Sequence, residues 1–252
     1  FHEMLQLSED LGAEPMFVVN MGFGHNWEDD INNIDVYIQE ALDAIEYCNG
    51  DVDTKWGKVR AENGHPEPFN LRLLEIGNEN YWFGSYSARY KLFYEAIRAK
   101  YPYIFFIANG GYQYGNPWPA DVVDDHYYNA PSYFVNHYHM FDDHHRADYK
   151  VYVGEYAVTE NFGTTGNMNA ALGEAIYMMG MENNSDVVIM NSYAPIFTNE
   201  NNVLWRPDMI RFNSAKSFGT PSYWVQQMMA NYHGWENIRW TEEGNLNTPY
   251  SM

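Results

Sequence analysis

Cysteine is almost absent: Cys48 is the sole one in 252 residues. That excludes an internal disulfide framework and any multi-cysteine metal site. Positive charge is also scarce, with 14 Lys and Arg against 34 Asp and Glu and a net charge of −20. Nucleic-acid binding depends on cationic patches, so this balance argues against a nucleic-acid partner and equally against an anionic membrane surface. No apolar run approaches the roughly 18 residues needed to cross a bilayer. Neither a G-x-G-x-x-G fingerprint nor a Walker loop occurs, which removes the usual marks of a dinucleotide or nucleoside triphosphate site. No secretory leader is visible, but the chain starts at Phe1 inside a helical pattern. It reads as a piece of a longer protein, so the missing leader says nothing about export, and the compartment stays open.

What is present is a large apolar fraction, 46% of residues, enough for a substantial core in one large domain or two small ones. Aromatics stand out, with 22 Tyr, 14 Phe and 8 Trp. Tyr and Trp combine a flat apolar face with a polar tip. Such surfaces suit sugar rings, and a large aromatic core is the alternative.

Hydrophobic periodicity divides the chain into alternating elements. Helices are expected over residues 2–11, 27–49, 87–100, 168–181 and 222–232, with a helix-like stretch over 133–141. In the 27–49 helix Ile31, Ile34, Ile38, Ala41, Leu42 and Ile45 form the stripe; in the 168–181 helix Leu172, Ala175, Ile176 and Met179 do. Strands are expected over 15–21, 71–77, 104–108, 122–124, 150–155 and 186–192, and residues 51–70 read as a loop. Each strand ends in a polar cluster: Asn20, Asn78-Glu79, Asn109 (followed by Gly110-Gly111), His126, Glu155 and Asn191-Ser192. Alternating strands and helices imply parallel βα units. Polar residues at the C-terminal ends of many strands fit a (β/α)8 TIM barrel better than an open doubly wound sheet, which gathers its site at one switch point. Six strands are two short of the full eight.

Two strand-end carboxylates carry the chemistry. Glu79 closes Leu73-Leu74-Glu75-Ile76-Gly77-Asn78-Glu79, and Glu155 closes Val151-Tyr152-Val153-Gly154-Glu155. A pair of carboxyl groups facing one cavity can split their pKa values, one donating a proton while the other attacks, as glycoside hydrolysis requires. The alternative is two structural glutamates held by Arg or backbone amides. Other features have bland readings. His137, His139, His144 and His145 cluster as a solvated helix end and loop rather than a metal site. Glu75 is a structural polar contact, Met178, Met179 and Met181 fill core, Cys48 has no role, and Asn183-Asn184-Ser185 matches a glycosylation triplet of the kind that arises by chance.

The residues around the glutamates are more specific. Gly77-Asn78-Glu79 and Gly154-Glu155-Tyr156-Ala157, with His126-Tyr127-Tyr128 between them, resemble the α-L-arabinofuranosidases of glycoside hydrolase family 51. The likeness extends through Glu9-Asp10-Leu11-Gly12-Ala13-Glu14-Pro15, Gly64-His65-Pro66-Glu67-Pro68-Phe69, Ser192-Tyr193-Ala194-Pro195, Trp205-Arg206-Pro207-Asp208 and Gly219-Thr220-Pro221-Ser222.

The resemblance implies an α/β fold: a partial TIM barrel over residues 1–234 that holds strands three to eight. It also implies a linker at 235–252 leading toward a C-terminal β-sandwich, with the first two strands and that sandwich missing. It implies that Glu79 is the general acid/base, Glu155 the nucleophile, and Asn78 the partner of the sugar 2-hydroxyl. His126 and Tyr128 would contact the nucleophile or the sugar, and Trp205 would wall the pocket. The implied activity is retaining, exo-acting release of terminal arabinofuranose from arabinan- or arabinoxylan-type hemicellulose, with no metal or organic cofactor. The partner is then an arabinose-containing oligo- or polysaccharide, and oligomeric state is left open. The rival readings are a retaining glycosidase of the same barrel type acting on another sugar, and a non-catalytic carbohydrate-binding fragment.

Overall fold

The computed structural model describes residues 1–110, 119–236 and 238. Gly111 and most of the expected 235–252 linker lie outside the described residues. In chain order the elements are α1 (His2–Asp10), β1 (Met16–Val19), β2 (Phe23–Gly24), β3 (Trp27–Glu28), α2 (Ile34–Asn49), α3 (Lys55–Glu62), β4 (Leu73–Ile76), α4 (Tyr86–Lys100), β5 (Phe105–Asn109), β6 (Val122–Asn129), α5 (Pro131–Asn136), β7 (Lys150–Val158), α6 (Met168–Asn183), β8 (Val188–Tyr193), β9 (Phe197–Asn199), β10 (Ile210–Phe212), β11 (Ser217–Gly219) and α7 (Pro221–Tyr232). The six expected strands are all present, and they follow the order β1-β4-β5-β6-β7-β8. Among the described helices none is long and apolar enough to cross a membrane.

The chain divides into two compact units at 124/125, so that β6 contributes its first three residues to one and the rest to the other. In the first unit β1, β4, β5 and the start of β6 are parallel neighbours, in registers such as Val19 with Ile76, Ile76 with Ala108 and Asn109 with Asp124. Their inward residues Leu74, Ile76, Phe106 and Ala108 are fully buried with Ile45, Phe93 and Ile97 of the covering helices. Each such large apolar side chain contributes roughly 1.5–3 kcal/mol relative to exposure. Two arginines are buried with backbone carbonyls as hydrogen-bond partners. Arg60 donates to the carbonyls of Tyr47, His65 and Pro66, and Arg89 donates to those of Met21 and Asp29 while stacking on Phe23. Carbonyl oxygens thus replace the water that Arg60 loses and part of the water that Arg89 loses.

In the second unit β7 and β8 are parallel, and the core is aromatic: Tyr127, Phe134, Phe141, Tyr156 and Tyr177 pack together. Helix α6 comes close to the turn after α5, where a side chain at Gly180 would meet the Tyr138 carbonyl at 1.8 Å. A three-stranded sheet, β11-β10-β9, completes the unit.

Several local expectations differ from what forms. Residues 27–28 belong to a hairpin with Phe23–Gly24, not to the following helix, because the chain turns at His25-Asn26 and Asp30 caps a short 3-10 turn before α2. Ile31 is accordingly exposed, while Ile34, Ile38, Ala41 and Ile45 are buried as the stripe requires. The expected loop at 51–70 contains α3, started by Thr54, whose hydroxyl accepts the Gly57 N–H at 3.1 Å. Strands β6 and β7 run on past the expected ends, so His126 and Tyr128 lie within β6 and Glu155 within β7. On α6 Leu172 and Met179 face outward, and Ala170, Glu174, Ile176, Tyr177, Met178 and Met181 face inward.

Candidate active site

In the first unit the site grows from the end of β4. The Gly77 N–H donates to Val19, and Gly77 has φ +80°, where a side chain would meet Asn80 Oδ1 at 2.5 Å and Met21 Sδ at 2.7 Å. Only glycine fits there without displacing both neighbours. Two residues on, Glu79 itself has φ +51°, an uncommon conformation for a non-glycine residue. The turn is held by side chains: Asn80 Oδ1 accepts the Asn78 N–H at 3.0 Å, and Asn109 Oδ1 at the end of β5 accepts the Asn80 N–H at 2.8 Å. Asn109 Nδ2 in turn donates to the Ile76 carbonyl. At the end of β1, Asn20 Oδ1 accepts the N–H groups of Gly22 and Phe23, which aims the β2–β3 hairpin. Asn20, His25, Asn78, Glu79 and Trp82 then line a cavity of about 300 Å³. Asn78 and Glu79 both line this cavity, on the turn that follows β4.

In the second unit the site is built on β6 and β7. Alternation along β6 places Tyr127 in the aromatic core and His126 and Tyr128 on the other face. On β7 the pairing with β8 slips: Val153 faces Asn191 but Tyr156 faces Tyr193, so β7 carries one extra residue at Gly154-Glu155. A bulge re-aims the side chain at its position, and here that side chain is Glu155. The Tyr128 hydroxyl donates to Glu155 Oε2, and His126 Nδ1 lies 3.6 Å from the same oxygen. Trp205, half-exposed between β9 and β10, meets the Tyr128 ring edge-on at 5.9 Å. His126, Tyr128, Glu155 and Trp205 therefore form one group, held by a phenol, an imidazole and an indole.

The other candidates are accounted for. His137 Nδ1 sits 2.8 Å from the Tyr133 carbonyl, His144 Nε2 3.0 Å from the Tyr149 carbonyl, and His145 Nδ1 3.3 Å from Asp148. Among the described residues these histidines form no set of metal ligands. Glu75 is buried in β4, Cys48 is buried with its thiol pushed up to about 12 by burial, and Met179 is exposed while Met178 and Met181 are core. Unforeseen in the sequence were His25 and Trp82 beside Glu79, and the Tyr152 hydroxyl 2.8 Å from Ser192 Oγ beside the bulge. The signal for Trp82 was its place three residues after the strand-end glutamate.

Residues 1–146 match the family model described as the α-L-arabinofuranosidase 1 domain. The chain belongs to the α-L-arabinofuranosidases of glycoside hydrolase family 51. The model of the α-L-arabinofuranosidase C-terminal domain matches residues 154–246. Over 244 residues the chain is 44% identical to α-L-arabinofuranosidase 1 of Arabidopsis thaliana, covering 96% of this chain and 36% of that protein. It is 40% identical to an extracellular exo-α-L-arabinofuranosidase of Streptomyces chartreusis, covering 93% of this chain and 30% of that one. The chain thus spans about a third of the length of these curated relatives. Among solved structures, the arabinose-bound MgGH51 α-L-arabinofuranosidase superposes with a TM-score of 0.86 at 32% identity, covering 91% of this chain and 39% of that one. An arabinose complex of the Thermotoga maritima α-L-arabinofuranosidase superposes at 0.70 with 21% identity, covering 92% and 52%, a likeness of fold. The six parallel strands accordingly correspond to part of the family 51 TIM barrel.

Proposed function

We propose that the protein of which this chain forms part is a retaining, exo-acting α-L-arabinofuranosidase that removes terminal arabinofuranose from arabinan- or arabinoxylan-type polymers. The observation that carries the mechanism is the Tyr128 hydroxyl donating to Glu155 on the bulge of β7, with His126 beside the same oxygen. Two polar side chains at one oxygen hold the carboxyl group in place, and a nucleophile must be held against the carbon it attacks.

Glu155 attacks the anomeric carbon while Glu79, protonated, gives its proton to the glycosidic oxygen. The carbon–oxygen bond to the leaving group breaks, and arabinofuranose remains as an ester on Glu155. Glu79, now a carboxylate, takes a proton from water, which attacks the same carbon and frees Glu155 with net retention. Such a mechanism calls for carboxyl groups about 5–5.5 Å apart. Asn78 hydrogen-bonds the 2-hydroxyl, and Trp205 walls the sugar site. The chemistry needs neither a metal nor an organic cofactor.

The test is hydrolysis of an aryl α-L-arabinofuranoside by the full-length protein. Glu155→Ala should abolish turnover, and azide should restore it by taking the place of the missing carboxylate. A Glu155→Ala variant with undiminished activity contradicts the mechanism. Faster turnover of aryl xylosides or glucosides contradicts the sugar assignment.

A further inference from the structure

Trp82 is the exposed aromatic ring of the cavity beside Glu79; Phe23 and Val19, which also line it, are buried, and Val18 offers only a small side chain. The indole is half-exposed, at 50%, so it is not a core residue. It is nonetheless packed against other rings. Tyr81 meets it edge-on at 4.9 Å and Phe83 lies against it at 6.1 Å. Phe83 is itself stacked on Phe23 at 4.6 Å, and the buried Arg89 guanidinium covers Phe23 at 4.8 Å. Trp82 is thus the open end of an aromatic ladder anchored in the core of the first unit. The polar groups that share the cavity with it include Asn20, His25, Asn78 and Glu79.

We propose that Trp82 is the stacking platform for the first sugar of the leaving group, and so sets preference for a polysaccharide over a small aglycone. The inference rests on the glycosidase reading, in particular on Glu79 as the acid. The group that protonates the glycosidic oxygen must lie within hydrogen-bond reach of it. That oxygen is bonded directly to the leaving group, so whatever flanks the acid in its own cavity meets the leaving group's first ring. A pentose ring presents an apolar C–H face to an indole and keeps its hydroxyls at the rim, where the asparagines and His25 stand. A platform half open to solvent suits the side of the bond from which a polymer continues outward, whereas a terminal furanose ends where it binds. Binding energy gained on this remote ring can then be used at the reacting carbon.

The experiment compares two substrates of the full-length protein, α-1,5-arabinobiose and methyl α-L-arabinofuranoside, which share the sugar cleaved and differ in the leaving group. Trp82→Ala should lower the ratio of kcat/KM for the disaccharide over that for the methyl glycoside by about tenfold, and Trp82→Phe should recover most of it. An unchanged ratio overturns the proposal, whether both rates fall together or neither falls. If the wild type cleaves neither substrate, the glycosidase reading has failed, and the platform is judged separately by calorimetric titration with arabinotriose. Binding lost in Trp82→Ala and kept in Trp82→Phe then supports stacking, and equal binding or no binding by the wild type overturns it.

Discussion

Glu155 owes its exposure to one extra residue in β7, and its orientation to the Tyr128 hydroxyl. Glu79 owes its presentation to backbone strain, with φ +51° two residues after a glycine that tolerates no side chain. The two glutamates are thus mounted differently, one on a bulged strand and one on a strained turn, and their proposed roles differ in the same sense. A nucleophile must be fixed against its target, while an acid that later acts as base needs only to reach the oxygen. The acid's contribution depends on how poor the leaving group is. Glu79→Ala should lower kcat/KM for arabinan by about 10²–10⁴-fold and kcat/KM for a dinitrophenyl arabinofuranoside, whose leaving group needs no proton, far less, while kcat falls on both because the second step loses its base. Equal losses of kcat/KM on both substrates would remove Glu79 from the acid role. As candidates both glutamates stand out in the sequence at the ends of apolar runs, Gly154 directly before Glu155 and Gly77 two residues before Glu79; their proposed roles came from the family likeness. The bulge and the positive φ were not legible there, since both depend on pairing with a neighbouring strand or on contacts such as Asn80 with Asn109.

Helix α6 shows how tertiary packing overrides a simple stripe. Periodicity selected Leu172 and Met179 as buried, yet Glu174 takes the inward place. Its Oε1 accepts the Val158 N–H at the end of β7 at 3.0 Å. Burial raises the Glu174 pKa above its ordinary 4.5, and the hydrogen bond from the Val158 N–H only partly opposes this. The folded chain therefore holds a proton that the unfolded chain releases. Stability from this group is fully present below the unfolded value near 4.5 and is lost as pH rises through the folded one. Glu174→Gln, which keeps the acceptor for Val158, should raise Tm at pH 8 and change it little at pH 4. A variant with the same pH–Tm profile as the wild type would contradict a buried titrating carboxyl. Other elements escaped the sequence for local reasons. The polar run of α3 hides a helix that depends on its Thr54 cap, and the second half of β6, Asp125-His126-Tyr127-Tyr128-Asn129, looks like a loop until Tyr127 finds the aromatic core. The strands β9, β10 and β11 are three residues each, too short for any period to show.

The family 51 barrel to which this chain corresponds has more strands than the six found here. Among the described pairings β1 is bonded to β4 alone, and Val18 on it is exposed, whereas β4 is bonded on both sides, to β1 and β5. An unpaired strand edge exchanges its amide hydrogens readily and invites association. In the 252-residue chain, residues 16–19 should exchange faster than residues 73–76 in a hydrogen-exchange experiment. Equal protection of the two strands would show that β1 has a partner on its outer side. The succession of six strands and the class of fold could be read from alternation alone; which strands of the barrel they are came from the family likeness. The proposed bond between Glu155 and the sugar can be trapped by treating the full-length protein with an arabinofuranose-configured epoxide and mapping the labelled peptide by mass spectrometry. One sugar adduct per chain should form, on Glu155, in step with loss of activity; an adduct on another carboxylate, or inactivation without any adduct, would overturn the nucleophile assignment.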